Sequence, residues 1–225
     1  MPLNIIGVGP GDSELLTIKA VRLIKEADYI ITPVKKEGSK VSTALNIIKP
    51  YLDNMDKVLY YYFPMVHGFN SKPEIVELFK THGDSINRLT DSGKKVVFIT
   101  LGDPSVYSTF AYIAPYLNNI EYVPGIPSFI HGAAISKIPL CLGDESFSVI
   151  NMTDSESNIR AAFKLHKNIV IMKVCSNQNL LKKLLIESKK SIVLMSNIGH
   201  GNQAITEDIS VLDSKMPYFT LGIVH

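Results

Sequence analysis

The sequence predicts an α/β protein of two domains, with a mostly parallel sheet in the first and a mixed sheet in the second. Three observations carry that expectation. Short apolar runs alternate with helical stripes along most of the chain, the pattern of strands joined by crossover helices. Three of the early runs lead directly into tight turns built from Gly, Pro and Asp. From about residue 204 onward the alternation is lost, and two consecutive extended stretches read as neighbouring antiparallel strands.

Taken in order, Leu3-Asn4-Ile5-Ile6 reads as a strand, followed by the turn Gly7-Val8-Gly9-Pro10-Gly11-Asp12. A helix then carries apolar positions at Leu16, Ala20, Leu23 and Ala27. Residues 28–32 and 57–62 read as strands. Ile75, Leu78, Phe79, Ile86 and Leu89 form a helical stripe that Gly93 is suited to close. The run Val96-Val97-Phe98-Ile99 reads as a buried strand leading to Leu101-Gly102-Asp103-Pro104-Ser105, with a helix expected from Val106 to Leu117. Pro104 fits a first helical turn, where its missing N–H would have no intrahelical partner. Glu121-Tyr122-Val123 is a short strand, Pro124-Gly125-Ile126-Pro127-Ser128 the third turn, and 128–136 the helix after it.

Lys137-Ile138-Pro139 and Leu142-Gly143-Asp144 interrupt the pattern, so the expected domains are 1–138 and 139–225. Beyond the break, strands at about 147–150, 168–173 and 191–195 are separated by helices near 156–166 and 178–187, the second with Asn177 as its N-cap. Residues 204–212 and 216–224, joined at Asp213-Ser214-Lys215, read as a β-hairpin.

Composition excludes several classes. Of 225 residues, 46% are hydrophobic and 20% charged, and the formal charge is only +2. The Lys pairs at 35–36, 94–95, 182–183 and 189–190 are scattered rather than gathered on a basic face, which argues against a nucleic-acid partner. They read as solvated helix ends and loops, or in part as contacts to the carboxylates of an anionic substrate. No apolar stretch reaches about 18 residues and no basic-then-apolar leader opens the chain, so a soluble cytoplasmic protein without a membrane partner is expected. Cys141 and Cys175 form no C-x-x-C pair and read as small buried hydrophobes. The six histidines show no metal-ligand spacing, and no protein-bound metal is expected.

The first turn is not a dinucleotide fingerprint: its third glycine would fall at Asp12, whose carboxylate would oppose a pyrophosphate at a helix N-terminus. Together, Gly7-Val8-Gly9-Pro10-Gly11-Asp12, Gly102-Asp103-Pro104 and Pro124-Gly125-Ile126 resemble the ordered motifs of the tetrapyrrole methylases, nearly end to end. Thr100–Thr109 and Val123–Phe129 are most similar to the members that methylate C(20) of precorrin-2 or cobalt-factor II in cobalamin synthesis.

The resemblance implies S-adenosylmethionine (SAM) as methyl donor, bound in a ligand cleft between the two domains, a tetrapyrrole in an adjoining trough, and a homodimer. Carried over by position, Pro10, Leu101, Gly102, Asp103, Val106, Pro127 and Ser128 line the SAM site, with Met172 and Gly199 near the adenine. An acceptor role for the Asp103 carboxylate toward the ligand is the sharpest of these expectations. Met172 reads equally as a core methionine, and Gly199 as a loop glycine. On the substrate side the resemblance places Asp12, which reads equally as an N-cap, while Tyr107 and the run Tyr60–Met65 are aromatic surface for a flat ring. No residue stands out as a catalytic base. The rivals are another methylase of this fold, a nucleotide-binding α/β protein, and a non-catalytic SAM or tetrapyrrole binder.

Overall fold

A computed structural model describes residues 1–64 and 72–225. The chain divides into two compact units, Met1–Pro127 and Ser128–His225. The first holds strands β1 (Leu3–Gly7), β2 (Tyr29–Val34), β3 (Val58–Tyr62), β4 (Val96–Thr100) and β5 (Ile120–Val123), and helices α1 (Ile18–Glu26), α2 (Thr43–Ile48) and α3 (Pro73–Asp91).

Its sheet runs β3-β2-β4-β1-β5, and every pairing is parallel. Both faces are covered. Ile6, Val8, Ile30, Val97 and Ile99 pack with Ala20, Ile24, Leu45 and Ile48 of α1 and α2. On the opposite face Leu3, Ile5, Ile31, Val96 and Phe98 pack with Ile75, Phe79 and Ile86 of α3. The alternation of side chains along β1 and β4 thus feeds two cores, which is why β4 reads as a continuous apolar run and β1 is interrupted only at Asn4.

Helix α3 ends where its sequence permits a left-handed residue. Gly93 has φ +81°, its N–H donates to the Thr90 carbonyl at 3.1 Å, and Lys94 N–H donates to Leu89 at 3.3 Å. This is the Schellman closure expected of a glycine just past a helix.

The second unit holds α4 (Ser128–Ile135), β6 (Phe147–Asn151), α5 (Glu156–Leu165), β7 (Asn168–Met172), α6 (Gln178–Ser188), β8 (Ile192–Ser196), β9 (Ala204–Thr206) and β10 (Thr220–Val224). Its order is β6-β7-β10-β8-β9. The β6/β7 pair is parallel and the others antiparallel, so this sheet is mixed. One face packs on Ile159 and Phe163 of α5 and on Leu180, Leu181, Leu184 and Leu185 of α6. Asn177 caps α6, accepting the Leu180 N–H at 3.3 Å. On the other face Gly132 of α4 lies against Met195 and Leu221; an added Cβ would stand 2.8 Å from the Met195 sulfur. That packing keeps α4 with the second sheet, whereas the sequence puts the division after it, at 138/139.

Two expected elements differ. Residues 106–117 form no α-helix: short 3-10 turns occupy Thr109–Tyr112 and Ala114–Tyr116. Pro115 removes a helical hydrogen bond there, and Tyr107 has φ +50°, which no α-helix accommodates. The C-terminal hairpin is also absent, since β9 and β10 flank β8 on opposite sides. Between them Ile209–Asp213 is a 3-10 turn. It drives Leu212 into the core, with Ile209 packed beside it, a spacing of three that suits a helical turn rather than a strand.

Cys141 is exposed and Cys175 half-buried, so neither is the buried hydrophobe expected. Among the described residues no helix is long and apolar enough to cross a membrane.

Candidate functional site

The neighbouring strands β4 and β1 send their onward connections in opposite directions, β1 toward β2 and β4 toward β5. That makes their carboxyl ends the topological switch point of the sheet, the place where open parallel sheets open a ligand crevice. The first two sequence turns lie there. Gly9 N–H donates to the Gly102 carbonyl at 3.1 Å and Gly102 N–H returns a bond to Gly9 at 2.8 Å. Both residues have positive φ, +78° and +68°. Two strand ends are thereby stitched past the last ladder pair, Gly7 with Thr100.

The third turn locks against the same point. A Cβ on Gly7 would lie 2.5 Å from the Gly102 oxygen and 2.7 Å from Gly125 N, and one on Gly125 would lie 2.2 Å from the Gly102 oxygen. Three motif glycines therefore meet as bare backbone, and only glycine fits at Gly7 and Gly125.

Around this knot, Pro10 is buried, while Leu101, Gly102 and Val106 are half-buried. Asp103 is 7% exposed. Its Oδ1 accepts the Ser105 N–H at 2.8 Å and the Ser105 hydroxyl. Its Oδ2 accepts the Gly125 N–H at 3.0 Å. Neither the Ser105 bonds to Asp103 nor this cross-turn bond was read from the sequence; the only local signal was a serine two residues after an aspartate, the spacing of an Asx turn.

Tyr107 is 52% exposed on a left-handed backbone. Asp12 is exposed and accepts the Glu14 N–H at 2.9 Å. It caps the 3-10 turn Ser13–Leu15, while Thr17 caps α1. Pro127 and Ser128 are half-buried, the latter opening α4. Tyr60, Tyr61 and Tyr62 lie in β3, whereas Met65 falls outside the described residues.

In the second unit β6, β7 and β8 run in the same direction, so their carboxyl ends share one edge of the sheet. Half-buried Met172 ends β7, and the Gly199 turn follows β8. β10 separates the two strands. The turn is held firmly. Asn197 N–H donates to the Phe219 carbonyl at 2.8 Å, Gly199 N–H to Gln203 Oε1 at 3.0 Å, and the His200 ring stacks on Phe219 with centroids 6.2 Å apart. Nearby, burial raises the Tyr218 phenol above its usual range, with Cys175 adding to the effect. Asn151, the register partner of Met172, has a shielded Oδ1 with no hydrogen-bond partner among the described residues.

The non-glycine residues with positive φ sort in a telling way. Lys137 and Lys189 end helices, but Tyr107, Lys173 and Asn197 follow the carboxyl ends of β4, β7 and β8. Left-handed backbone at such residues is costly and gathers where a loop must hold a particular shape.

Comparison with known proteins accords with this geometry. The chain is 29% identical to the cobalt-precorrin-2 C(20)-methyltransferase of Salmonella typhimurium, over 99% of this chain and 95% of that one. It is 33% identical to the probable cobalt-precorrin-2 C(20)-methyltransferase of Methanocaldococcus jannaschii, over 94% and 86%. The uroporphyrin-III C-methyltransferase of Thermus thermophilus, solved with S-adenosylhomocysteine, shares the fold with a TM-score of 0.69 at 18% identity, over 100% of this chain and 97% of that one. The family model for tetrapyrrole (corrin/porphyrin) methylases matches residues 2–210, and the chain belongs to that family.

Proposed function

We propose that this protein transfers the methyl group of SAM to C(20) of a cobalt-bearing precorrin-2 (cobalt-factor II or cobalt-precorrin-2) in cobalamin synthesis. The observation that carries the proposal is the 33% identity, over 94% of the chain, to a relative named for that reaction. The reaction asks little of side chains. SAM brings an activated methyl on a sulfonium, so the methyl moves to carbon, the sulfur keeps the bonding pair, and C(20) gives up its proton. What the protein supplies is alignment, and a stiff knot of backbone at a switch point is suited to that.

In this reading Pro10, Leu101–Asp103, Val106, Pro127, Ser128, Met172 and Gly199 hold the donor, largely through backbone groups. Tyr107 and Asp12 serve the macrocycle. The cobalt arrives within the substrate rather than on the protein, and the enzyme works as a cytoplasmic homodimer. The exposed Tyr107 and Tyr112 offer aromatic surface either to the macrocycle or to a second subunit.

The test is direct. Calorimetry is expected to find SAM and S-adenosylhomocysteine binding where NAD and ATP do not. Offered both macrocycles with carbon-13 methyl SAM, the enzyme is expected to label C(20) of the cobalt form in preference to metal-free precorrin-2. A label on a pyrrole-ring carbon would overturn the assigned position.

A further inference from the structure

A carboxylate as buried as that of Asp103 has to be satisfied by hydrogen bonds, and both of its oxygens are. The two bonds from Ser105 close a turn within its own loop. The third, from Gly125 N–H at 3.0 Å, reaches across to the turn after β5. That bond falls where the sheet can no longer hold the chain. The β1/β5 ladder ends at Ile6 with Val123, and Pro124 has no N–H to extend it. Gly125 carries the first N–H available beyond the strand, and Asp103 takes it. A Cβ on Gly125 would meet bare backbone of Gly7 and Gly102, so the turn packs closely there while Asp103 supplies its cross-turn hydrogen bond.

We infer that Asp103 is a positioning residue. It clamps the Gly125 turn onto the Gly102 turn, and its carboxylate serves the donor site by fixing that backbone rather than by accepting hydrogen bonds from the donor. A hydrogen bond to an ionised acceptor is roughly twice as strong as a neutral one. In a site that works by alignment, a displacement of about 1 Å costs on the order of a hundredfold in rate. This inference rests on the SAM reading of the site.

The experiment compares three ligands by calorimetry: S-adenosylhomocysteine; 5′-methylthioadenosine, which lacks the amino-acid tail; and its 2′,3′-dideoxy form, which also lacks the ribose hydroxyls. Asp103→Ala removes both oxygens, so the Gly125 N–H loses its acceptor whichever way the loop settles. The clamp predicts that all three ligands weaken by one common factor of about tenfold, the loss of one charge-assisted bond. It also predicts faster amide exchange at Gly125 in the ligand-free protein. Ser105→Ala is expected to give a smaller loss, again equal for all three, and it decides the matter if Asp103→Ala does not fold. A loss that vanishes once the tail or the hydroxyls are removed would assign a direct contact and overturn the clamp, as would unchanged affinities. If the unaltered protein binds none of the three, the SAM reading itself fails, and that is seen before any variant is made.

Discussion

The hydroxyl oxygens of Thr100 and Ser108 lie 2.9 Å apart, and both residues are buried. Thr100 ends β4, and Ser108 begins the 3-10 turn beyond the loop, accepting the Phe110 N–H at 3.2 Å. The loop carrying Gly102, Asp103 and Tyr107 is therefore closed at its base by one short polar bond. Ser108→Ala removes both interactions and leaves Thr100 without its hydroxyl partner, so a loss of about 1–3 kcal/mol is expected. Urea denaturation measures it, and an unchanged midpoint would show that the bond does not matter to stability.

Tyr107 holds a conformation that glycine adopts freely. With φ at +50°, Tyr107→Gly removes a left-handed cost of about 1–2 kcal/mol, offset in part by glycine's greater freedom in the unfolded chain. The variant is expected to melt no lower than the parent yet to methylate its tetrapyrrole more slowly. Full activity in a Gly variant would show that neither ring nor backbone strain serves the substrate.

The glycine knot makes a sharper stability prediction. Gly125→Ala sets a methyl 2.2 Å from a backbone oxygen that has no side chain to move aside, and a loss of about 3 kcal/mol or more is expected. Gly38→Ala is the control. It has φ +71° but nothing within 4 Å, so its cost should be limited to the backbone, about 1–2 kcal/mol. Equal losses at the two sites would contradict the close approach.

His82 supplies a pH dependence. Burial holds its pKa below the usual 6.5, while its hydrogen bond to the Tyr62 carbonyl partly opposes the shift. The ring packs edge-on against Tyr61 at 4.7 Å, with Nε2 2.9 Å from the Tyr62 oxygen. Because the folded pKa is depressed, the unfolded chain takes up the proton first on acidification. Stability is full above the unfolded value and falls as pH drops through it toward the folded value. The denaturation midpoint is expected to decline between about pH 7 and 5 more steeply than in His82→Gln. Parallel pH profiles would exclude His82 as the cause.

Most of the fold was legible because apolar periodicity and turn chemistry agreed in each element, as with Asn177 at α6 and Gly93 after α3. The misreadings share a cause: local pattern lost to tertiary context. Val106–Leu117 reads as a helix from its place after a strand and a Gly-Asp-Pro turn, but the Thr100–Ser108 bond and Pro115 hold it in tighter turns. Residues 204–212 have strand composition, but Leu212 gains more by entering the helix-covered core than by alternating along an edge. At the site the glycine turns themselves were evident, while their mutual contact was not, since three residues without side chains leave no pattern to read. The same holds for Asp103, whose third bond joins residues 22 apart in sequence.

The placing of β10 bears on how the second unit comes into being. Residues 220–224 follow β8 and β9 in the chain yet lie between β7 and β8, bonded to both. During synthesis β7 and β8 emerge first, each with an unfilled edge toward the other, and their direct pairing would close the gap that the later strand must enter. The unit therefore depends on keeping two apolar strands apart until a third arrives, a long-range step of the kind that slows folding and exposes sticky intermediates. Substitutions that strengthen β10 should act chiefly on the yield of correctly folded protein, even where they leave the donor site untouched.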